Sequence, residues 1–509
     1  MNFKELQLKL PTDYSEDLLK SQIKKSFGLQ EFSYEIVNKS LDARNKGNIH
    51  WLLKIHAFSS QFKNSIKEEI QSLEISTFDR KKSVLVVGSG PAGFFSALAL
   101  QKAGYQVTII ERGTDVEKRS QGIQQFEKTG IFDTKSNYAF GEGGAGTFSD
   151  GKLTSRSKHI SREKQFILEN YIKAGAPKEI QYLAHPHLGT DNLKIIVANL
   201  RHDFVKNGGE ILFETMLEDI KIEQNKVVEI ITSVGSKTAD YLIVAPGHSA
   251  FETYRMLIHR GVQFRTKNFA IGFRAEHHQE IINKAQWGVE QLKGVKAAEY
   301  RLTSNPVNSL SVYTFCMCPG GMVVPATAFA DTNIVNGMSY YHRDGGFANA
   351  ACVAAVHPDQ LLRKSAMALE TLDWLENLER SFFNFSKGYD APAIRIQDFI
   401  QKKSSGKLNP SSYPFSLISA PLWEMLPTEV SNSIRLSLTE FSRKIKGYET
   451  GTLLGLESKT SSPIQVLRTE KGHVEGVENL FIVGEGSGYA GGIISSAADG
   501  LRAIRMLLK

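Results

Sequence analysis

Cysteine is scarce in this chain: three in 509 residues, two of them in Cys316-Met317-Cys318. That is too few for a disulfide framework, and residues two apart rarely bridge, so the usage fits a reducing compartment. Long apolar runs are also absent. The longest, such as Leu242 to Pro246 and Asn333 to Met338, fall far short of the roughly 20 residues that a membrane-spanning helix needs. Met1 to Leu10 alternates charged and apolar residues, without the basic-then-apolar order of a secretory leader. A cytoplasmic protein with no membrane partner is expected. Charge of one sign is not concentrated anywhere: 61 basic and 54 acidic residues leave a net +7 spread along the chain. Such a mild excess tolerates an anionic substrate without requiring one, and no nucleic-acid partner is expected. There is no internal repeat and no low-complexity tract.

What is present is an ordinary globular composition, with 41% hydrophobic and 23% charged residues, on a chain too long for one core. Residues 1–80 read as a small α/β domain. Phe3 to Leu10 alternates like a strand, and Ser15 to Phe27 carries Leu18, Leu19, Ile23 and Phe27 at helical spacing behind Ser15 as N-cap. Phe32 to Val37 and Ile49 to Phe58 read as strands, and Asn64 to Leu73 as a second helix. A boundary falls at Asp79-Arg80-Lys81-Lys82. Beyond it, helices (Ser161 to Ala174, Leu193 to Asn207) alternate with strands (Glu210 to Phe213, Val227 to Ser233, Tyr241 to Val244). Further strands are expected at Asn268 to Ala275 and Ser311 to Cys316, one long helix at Pro358 to Arg380, and a loop at Lys402 to Pro414. A strand, Leu480 to Val483, and a helix, Ile493 to Leu508, follow.

The strongest motif begins at Ser83-Val-Leu-Val-Val87, a β-branched run suited to a strand buried on both faces. It enters Gly88-Ser89-Gly90-Pro91-Ala92-Gly93 and then a helical pattern that stops at Gly104. A second strand, Gln106 to Ile110, ends in Glu111-Arg112. Gly88 permits the tight turn, Gly90 lets a pyrophosphate approach the backbone, and Gly93 lets helix and strand pack. The helix N-terminus offers free N–H groups to phosphates, and Glu111 stands where a carboxylate accepts from ribose hydroxyls and repels a 2′-phosphate. A dinucleotide site follows. Gly141-Glu142-Gly143-Gly144-Ala145-Gly146 has the same spacing but lacks a buried strand before it and a helix after it. It is either a backbone nest for phosphate or flavin, through Gly143 and Gly144, or a structural loop.

Asn479-Leu480-Phe481-Ile482-Val483 enters Gly484-Glu485-Gly486-Ser487-Gly488-Tyr489-Ala490-Gly491-Gly492, with a helix from Ile493. This resembles the second FAD signature of the two-dinucleotide-binding-domain flavoproteins. The resemblance implies that Glu485 holds the ribityl chain, that Gly491 and Gly492 allow close approach, and that the helix N-terminus at Ile493 faces the flavin pyrimidine ring. There its positive end stabilises charge on reduced flavin. Tyr241 to Val244, ending in Ala245-Pro246-Gly247, resembles the returning Ala-Thr-Gly strand of that superfamily. More narrowly, GEGGAGTFSDGKL (141–153), HPHLGTDNL (185–193), FRAEH (273–277), FCMCPGG (315–321), KIKG (444–447) and GLESKTSSP (455–463) resemble bacterial FAD-dependent dehydrogenases distantly related to geranylgeranyl-reductase-type flavoproteins. Gln401 to Ser405 departs from that pattern, so no Arg contact is carried over there.

The resulting expectation is an α/β fold: a discontinuous Rossmann-type FAD-binding domain (83–157, 185–260 and 450–509), an inserted mixed α+β substrate or cap domain (261–449), and the small N-terminal α/β domain. The expected function is an FAD-dependent oxidoreductase passing two electrons, as hydride, between flavin N5 and a small organic substrate. NAD(P)H or a protein would serve as electron donor. A flavin-dependent monooxygenase and a non-catalytic or RNA-associated flavoprotein remain alternatives. For catalysis the candidates are Cys316, Cys318 and His248, each weighed against a bland role: small packed thiols, and a solvated loop histidine. His185 and His187 lack the further ligands of a metal site, and no metal is expected. Glu457, Ser461, Ser462 and Pro463 either line the flavin pocket or form a turn.

Overall fold

In the computed structural model, which describes residues 2–62 and 71–509, the chain opens with β1 (Phe3–Pro11), α1 (Glu16–Phe27), β2 (Ser33–Asp42) and β3 (His50–Phe58). The Ser15 hydroxyl accepts from the Leu18 N–H at 3.2 Å and starts α1, and Gly28 ends it in the left-handed region. The sheet runs β1-β3-β2, antiparallel throughout, with Leu19 and Ile23 of α1 packed on Leu53 and Ile55. The helix expected at Asn64 to Leu73 lies, over residues 64–70, outside the described residues.

The next stretch holds β4 (Ser83–Val87), α2 (Pro91–Lys102), β5 (Gln106–Ile110), α3 (Val116–Thr129), α4 (Ser161–Lys173), α5 (Gly189–Lys206) and β6 (Glu210–Leu212). An antiparallel excursion of β7 (Leu217–Glu223), β8 (Lys226–Thr232) and β9 (Gly235–Lys237) returns as β10 (Tyr241–Val244) and α6 (Phe251–His259). Then come β11 (Phe264–Thr266), β12 (Phe269–His278), α7 (Gln279–Trp287), β13 (Thr303–Ser304), β14 (Val312–Pro325), β15 (Val335–Ser339) and β16 (Phe347–Val356). These are followed by α8 (Pro358–Leu362), α9 (Ala368–Ser386), β17 (Ala391–Arg395), α10 (Ile396–Gln401), β18 (Leu417–Ser419) and α11 (Thr428–Lys444). Last are β19 (Thr452–Glu457), β20 (Ile464–Val466), β21 (Leu480–Ile482) and α12 (Ile493–Ala503).

Two large sheets organise this order. The first is parallel, β21-β10-β4-β5-β6, with pieces of chain from both ends of the molecule side by side. Strand alternation sends Val84 and Val86 to one core and Leu85 and Val87 to the other, so β4 is covered on both faces. The first core holds α2, α4 and α12. Gly500 of α12 lets that helix approach, because a Cβ there would meet Ser96 Oγ at 2.5 Å and the Ala92 carbonyl at 2.6 Å. The second sheet runs β13-β14-β16-β12-β19-β17-β18, with β15 also on β14, and buries Phe273, Phe382, Phe399 and Phe441 against α9, α10 and α11. No helix among the described residues is long and apolar enough to cross a membrane.

The structure departs from the sequence reading in four places. Thr452–Glu457, expected with the dinucleotide-binding part, is an internal strand of the second sheet, between β12 and β17. Residues 158–184, expected in neither large domain, supply α4, whose Phe166, Ile167 and Tyr171 join the core under α2. Pro358 to Arg380 is two helices, because Arg363 turns left-handed (φ 53°) and breaks the run before Ala368. The strand expected to end at Cys316 continues to Pro325, since a kink there bends the strand without stopping it.

Candidate functional site

The parallel sheet and the second sheet face each other across one cleft with a cavity volume of about 320 Å³. On the parallel-sheet side it is lined by Gly88, Gly90, Pro91 and Ala92 after β4, and by Glu111 and Arg112 after β5. Ala245, Pro246, Gly247 and His248 follow from β10, and Gly484, Glu485, Gly491, Gly492 and Ile493 from the end of β21 and the start of α12. The helices α2 and α12 begin at Gly90 and Gly492, and neither N-cap has a side-chain hydrogen bond, so both leave first-turn N–H groups free at the cleft. Gly90 is back to back with Gly144: a Cβ on Gly144 would stand 3.1 Å from Gly90 Cα. Of the 141–146 loop, Gly141, Gly144, Ala145 and Gly146 line the cleft. Gly143 instead lines a small adjacent cavity together with Ser89 and Phe94.

Several of the expected residues work behind the surface. Gly93 is where α2 crosses β4, and a Cβ would run into the Gly88 carbonyl. Glu111 is buried and accepts four hydrogen bonds from the chain itself: the Ser89 N–H (2.9 Å) and hydroxyl (2.8 Å), the Gly113 N–H (2.9 Å) and the Gly141 N–H (3.1 Å). These occupy the four lone-pair positions of a carboxylate. Glu111 thus ties the glycine turn to the 141–146 loop. The Arg112 guanidinium lies 3.9 Å over the Phe140 ring and pairs with Glu252.

The GEGSG segment is held from outside. Gly484 N–H donates to Asp499 (2.9 Å), which is gripped by Arg468 at 2.7 and 3.1 Å, and Lys267 donates to the Gly488 carbonyl at 2.7 Å. Glu485 reaches His248 Nδ1 at 3.2 Å. His248 is not a solvated loop residue: only 10% of its side chain is exposed, and its Nε2 is buried without a hydrogen-bond partner. An unpartnered ring nitrogen, two uncapped helix N-termini and a glycine-lined trough fit a flavin dinucleotide.

The opposite side is built from side chains. Arg274 of β12, fully buried, donates to Glu457 (2.8 Å), Asn336 (3.0 Å), Asn349 (2.7 Å) and the Cys316 carbonyl (2.6 Å). Burial works against its charge, and Glu457 overcomes that, holding the guanidinium above its ordinary value. Glu457, Asn336, Cys316 and Phe315 all line the cleft. Deeper along it, Asp150 receives both nitrogens of the Arg343 fork (3.0 and 2.6 Å) and Lys152 (2.6 Å). Burial alone would raise the Asp150 carboxyl, but Lys152 and Arg343 hold it well below the usual range. Lys459, also on the cleft, pairs with Glu379 at 2.8 Å and lies 3.7 Å over the Phe251 ring, and burial lowers its pKa.

Sequence reasoning missed Asp150, Lys152, Asn336 and Lys459 as cleft residues. Asp150, Lys152 and Lys459 sit inside two of the strings that carried the family resemblance, but a charge in a polar loop reads as solvated until its partners are known. Cys318 does not line the cleft: it is buried behind Cys316. Cys316 has φ +44°, a left-handed conformation that costs a non-glycine residue roughly 1–2 kcal/mol. His185 and His187 diverge, the first exposed near Glu299 (3.4 Å), the second buried against the Tyr341 carbonyl (3.0 Å). Among the described residues no three potential ligands converge on a metal site. Ser462 closes a turn on the Ile464 carbonyl (2.9 Å), and neither it nor Ser461 nor Pro463 lines the cleft.

Residues 81–250 match the family described as FAD binding domain, and residues 268–460 match FAD-dependent protein, C-terminal domain-like. Residues 2–58 match a domain of unknown function. A Clostridium beijerinckii protein described as an uncharacterized protein is 38% identical over 494 residues, covering 93% of this chain and 92% of its own. The thiamine thiazole synthase of Aeropyrum pernix is 26% identical over 218 residues, covering 40% of this chain and 63% of its own. A geranylgeranyl bacteriochlorophyll reductase-like structure from Thermoplasma acidophilum aligns over 84% of this chain and 78% of its own, with 13% identity and a TM-score of 0.37.

Proposed function

Because the chain belongs to a family of FAD-dependent proteins, we propose that it binds FAD across this cleft and moves two electrons between the flavin and a small organic substrate. The observation that carries this reading is the opening of α2 and α12, two uncapped helix N-termini from opposite ends of the chain, onto one trough. Gly88, Gly90, Pro91 and Ala92 hold the pyrophosphate against the first turn of α2. Arg112 lies toward the adenosine end, and Glu111 reaches the ribose only if the Ser89 hydroxyl turns away. Glu485, Gly491, Gly492 and Ile493 take the ribityl chain and the pyrimidine edge, and the free dipole end of α12 favours negative charge there.

Bound FAD would supply the two-electron chemistry of this reading. The chain's part is to bind, orient and exclude water. Glu485 holds His248 through Nδ1, leaving Nε2 available as the group that gives or takes a proton at the cleft. On the far wall Phe315 and Asn336 bound the space left for substrate, and Lys152 and Lys459 make it hospitable to an anionic group. In this reading the electron donor is NAD(P)H or another protein.

The test is an anaerobic absorption titration of purified protein with NADH, NADPH and dithionite. Flavin is expected to co-purify, and its absence overturns the reading. Rapid bleaching by a nicotinamide identifies the donor. Bleaching by dithionite alone points to a protein donor or to the substrate itself.

A further inference from the structure

The side-chain wall carries two thiols for which the proposed two-electron chemistry has no use. Cys316 lines the cleft, and Cys318 lies buried behind it. In a regular strand, residues two apart point the same way but stand too far apart to bridge readily. β14 is not regular here. Its register against β16 slips between Phe315, opposite Ala351, and Cys318, opposite Asn349, and Cys316 takes the left-handed conformation at the bulge. The kink folds the Cys318 side chain back toward Cys316: Cys318 Sγ lies 3.4 Å from the Cys316 carbonyl oxygen, to which its thiol donates. Arg274 spans both, 2.6 Å from the Cys316 carbonyl and 3.5 Å from Cys318 Sγ. Strain of this kind persists only where the surroundings impose it, and it concentrates at functional positions.

The two sulfurs are also differentiated. The neighbouring Cys318, with Arg274 and Lys152, lowers the Cys316 thiol against its burial, whereas the neighbouring Cys316 and burial raise Cys318. An accessible, acidified thiol in front of a buried neutral one is the arrangement of an attacking and a resolving cysteine. Cys352 provides the internal contrast. It is fully buried in β16, and burial pushes it up to about 12.

We propose that Cys316 and Cys318 form a dithiol–disulfide couple in the wall of the cleft, exchanging two electrons with a small organic disulfide or dithiol that enters it. The inference rests on the reading of the cleft as a two-electron site and names a substrate class for it. The Cys316 thiolate attacks one sulfur of the disulfide, breaks its S–S bond and expels one thiolate. Cys318 then gives its proton to that thiolate, attacks the Cys316 sulfur and expels the second thiolate, which takes up the proton that Cys316 released on ionising. The protein loses two electrons and two protons, and the external disulfide becomes two thiols. In the other direction an external dithiol reopens the bridge and leaves as a disulfide, and a bound flavin would supply the two-electron acceptor that re-forming the bridge requires.

The test uses the prereduced holoprotein, treated anaerobically with glutathione disulfide, quenched in acid, denatured, alkylated and weighed intact. The wild type is expected to lose two hydrogen atoms and keep one alkylatable thiol, Cys352. The Cys318→Ser variant is expected to stall as a glutathione adduct on Cys316, and Cys316→Ser not to react. Three alkylatable thiols in treated wild type, or an adduct that persists on it, overturns the proposal. Protein mass is read after the flavin is stripped, so this outcome is independent of whether flavin co-purifies, which decides the reading of the cleft.

Discussion

The two walls of the cleft are made in opposite ways. One is backbone: Gly88, Gly90, Gly144, Gly247, Gly484, Gly491 and Gly492 present N–H groups and space, and Glu111, the one buried carboxylate on it, is consumed by internal bonds. The other is side chain: Arg274 with Glu457, Asp150 with Arg343 and Lys152, and Lys459 with Glu379, each a desolvated charge set that needs all its members. A backbone wall recognises a ligand by shape and phosphate charge, so it suits a cofactor shared by many proteins. A side-chain wall is specific to one chemistry, and it is where substitution changes what the protein does.

Substituting the backbone wall should be the most damaging. Gly93→Val places a side chain into the Gly88 carbonyl, a backbone clash expected to cost more than about 4 kcal/mol. The variant should be recovered without flavin or not at all, and a yellow protein with an unchanged Tm would show that the wall tolerates side chains. Next is Glu457→Leu, which strands the Arg274 guanidinium in the core. Breaking one partner of such a pair costs roughly 3–5 kcal/mol, read as a lowered urea midpoint. The double variant Arg274→Met, Glu457→Leu should recover most of that loss, and failure to recover would mean that the wall depends on Arg274 as a scaffold rather than as a charge.

A third effect separates the walls by pH. His187 and His277, both on the side-chain side, are held at about 4 by burial, below their ordinary value. Between pH 6.5 and 4 the unfolded chain takes up protons at these positions and the folded chain does not, so stability falls as pH falls through that window. The loss is at most about 3.4 kcal/mol per histidine. His277→Gln should flatten the decline of Tm over that range, and an unaltered decline would remove His277 from the account. The smallest effect is expected at Ser89→Ala. It removes one hydroxyl bond to Glu111, worth about 1 kcal/mol, and frees a lone pair for the proposed ribose contact. FAD affinity, measured by fluorescence titration, should be unchanged or higher. A tenfold loss would mean that the Ser89 hydroxyl itself binds the cofactor.

The same contrast explains what was legible in the sequence. Ser83–Val87, the start of α2 at Gly90-Pro91 and the strand 480–482 were readable because a glycine turn between a buried strand and a helix leaves a local, ordered trace. Asp150, Arg343 and Lys459 left none, since each is defined by a partner far along the chain. The kink at Cys316 was invisible for a related reason: a bulge is a property of two strands, and β16 lies some thirty residues away. The break at Arg363 shows the limit of periodicity, which detected the apolar faces of α8 and α9 but not the left-handed residue between them.

The order of the parallel sheet, β21-β10-β4-β5-β6, has a consequence for how the protein comes to exist. A ribosome delivers β10 and α2 before the second sheet, yet β21, which pairs with β10, and α12, which packs on α2, only after most of the second sheet has been made. Throughout that interval Ala92, Ser96 and the rest of the α2 surface that α12 will cover remain wet and apolar. Ribosome-bound chains halted before Leu480 should be cut by protease within α2, and protection there would show an earlier closure. Domains that complete themselves in order can fold as they emerge. This one must wait, and for most of its synthesis the α2 face stays uncovered.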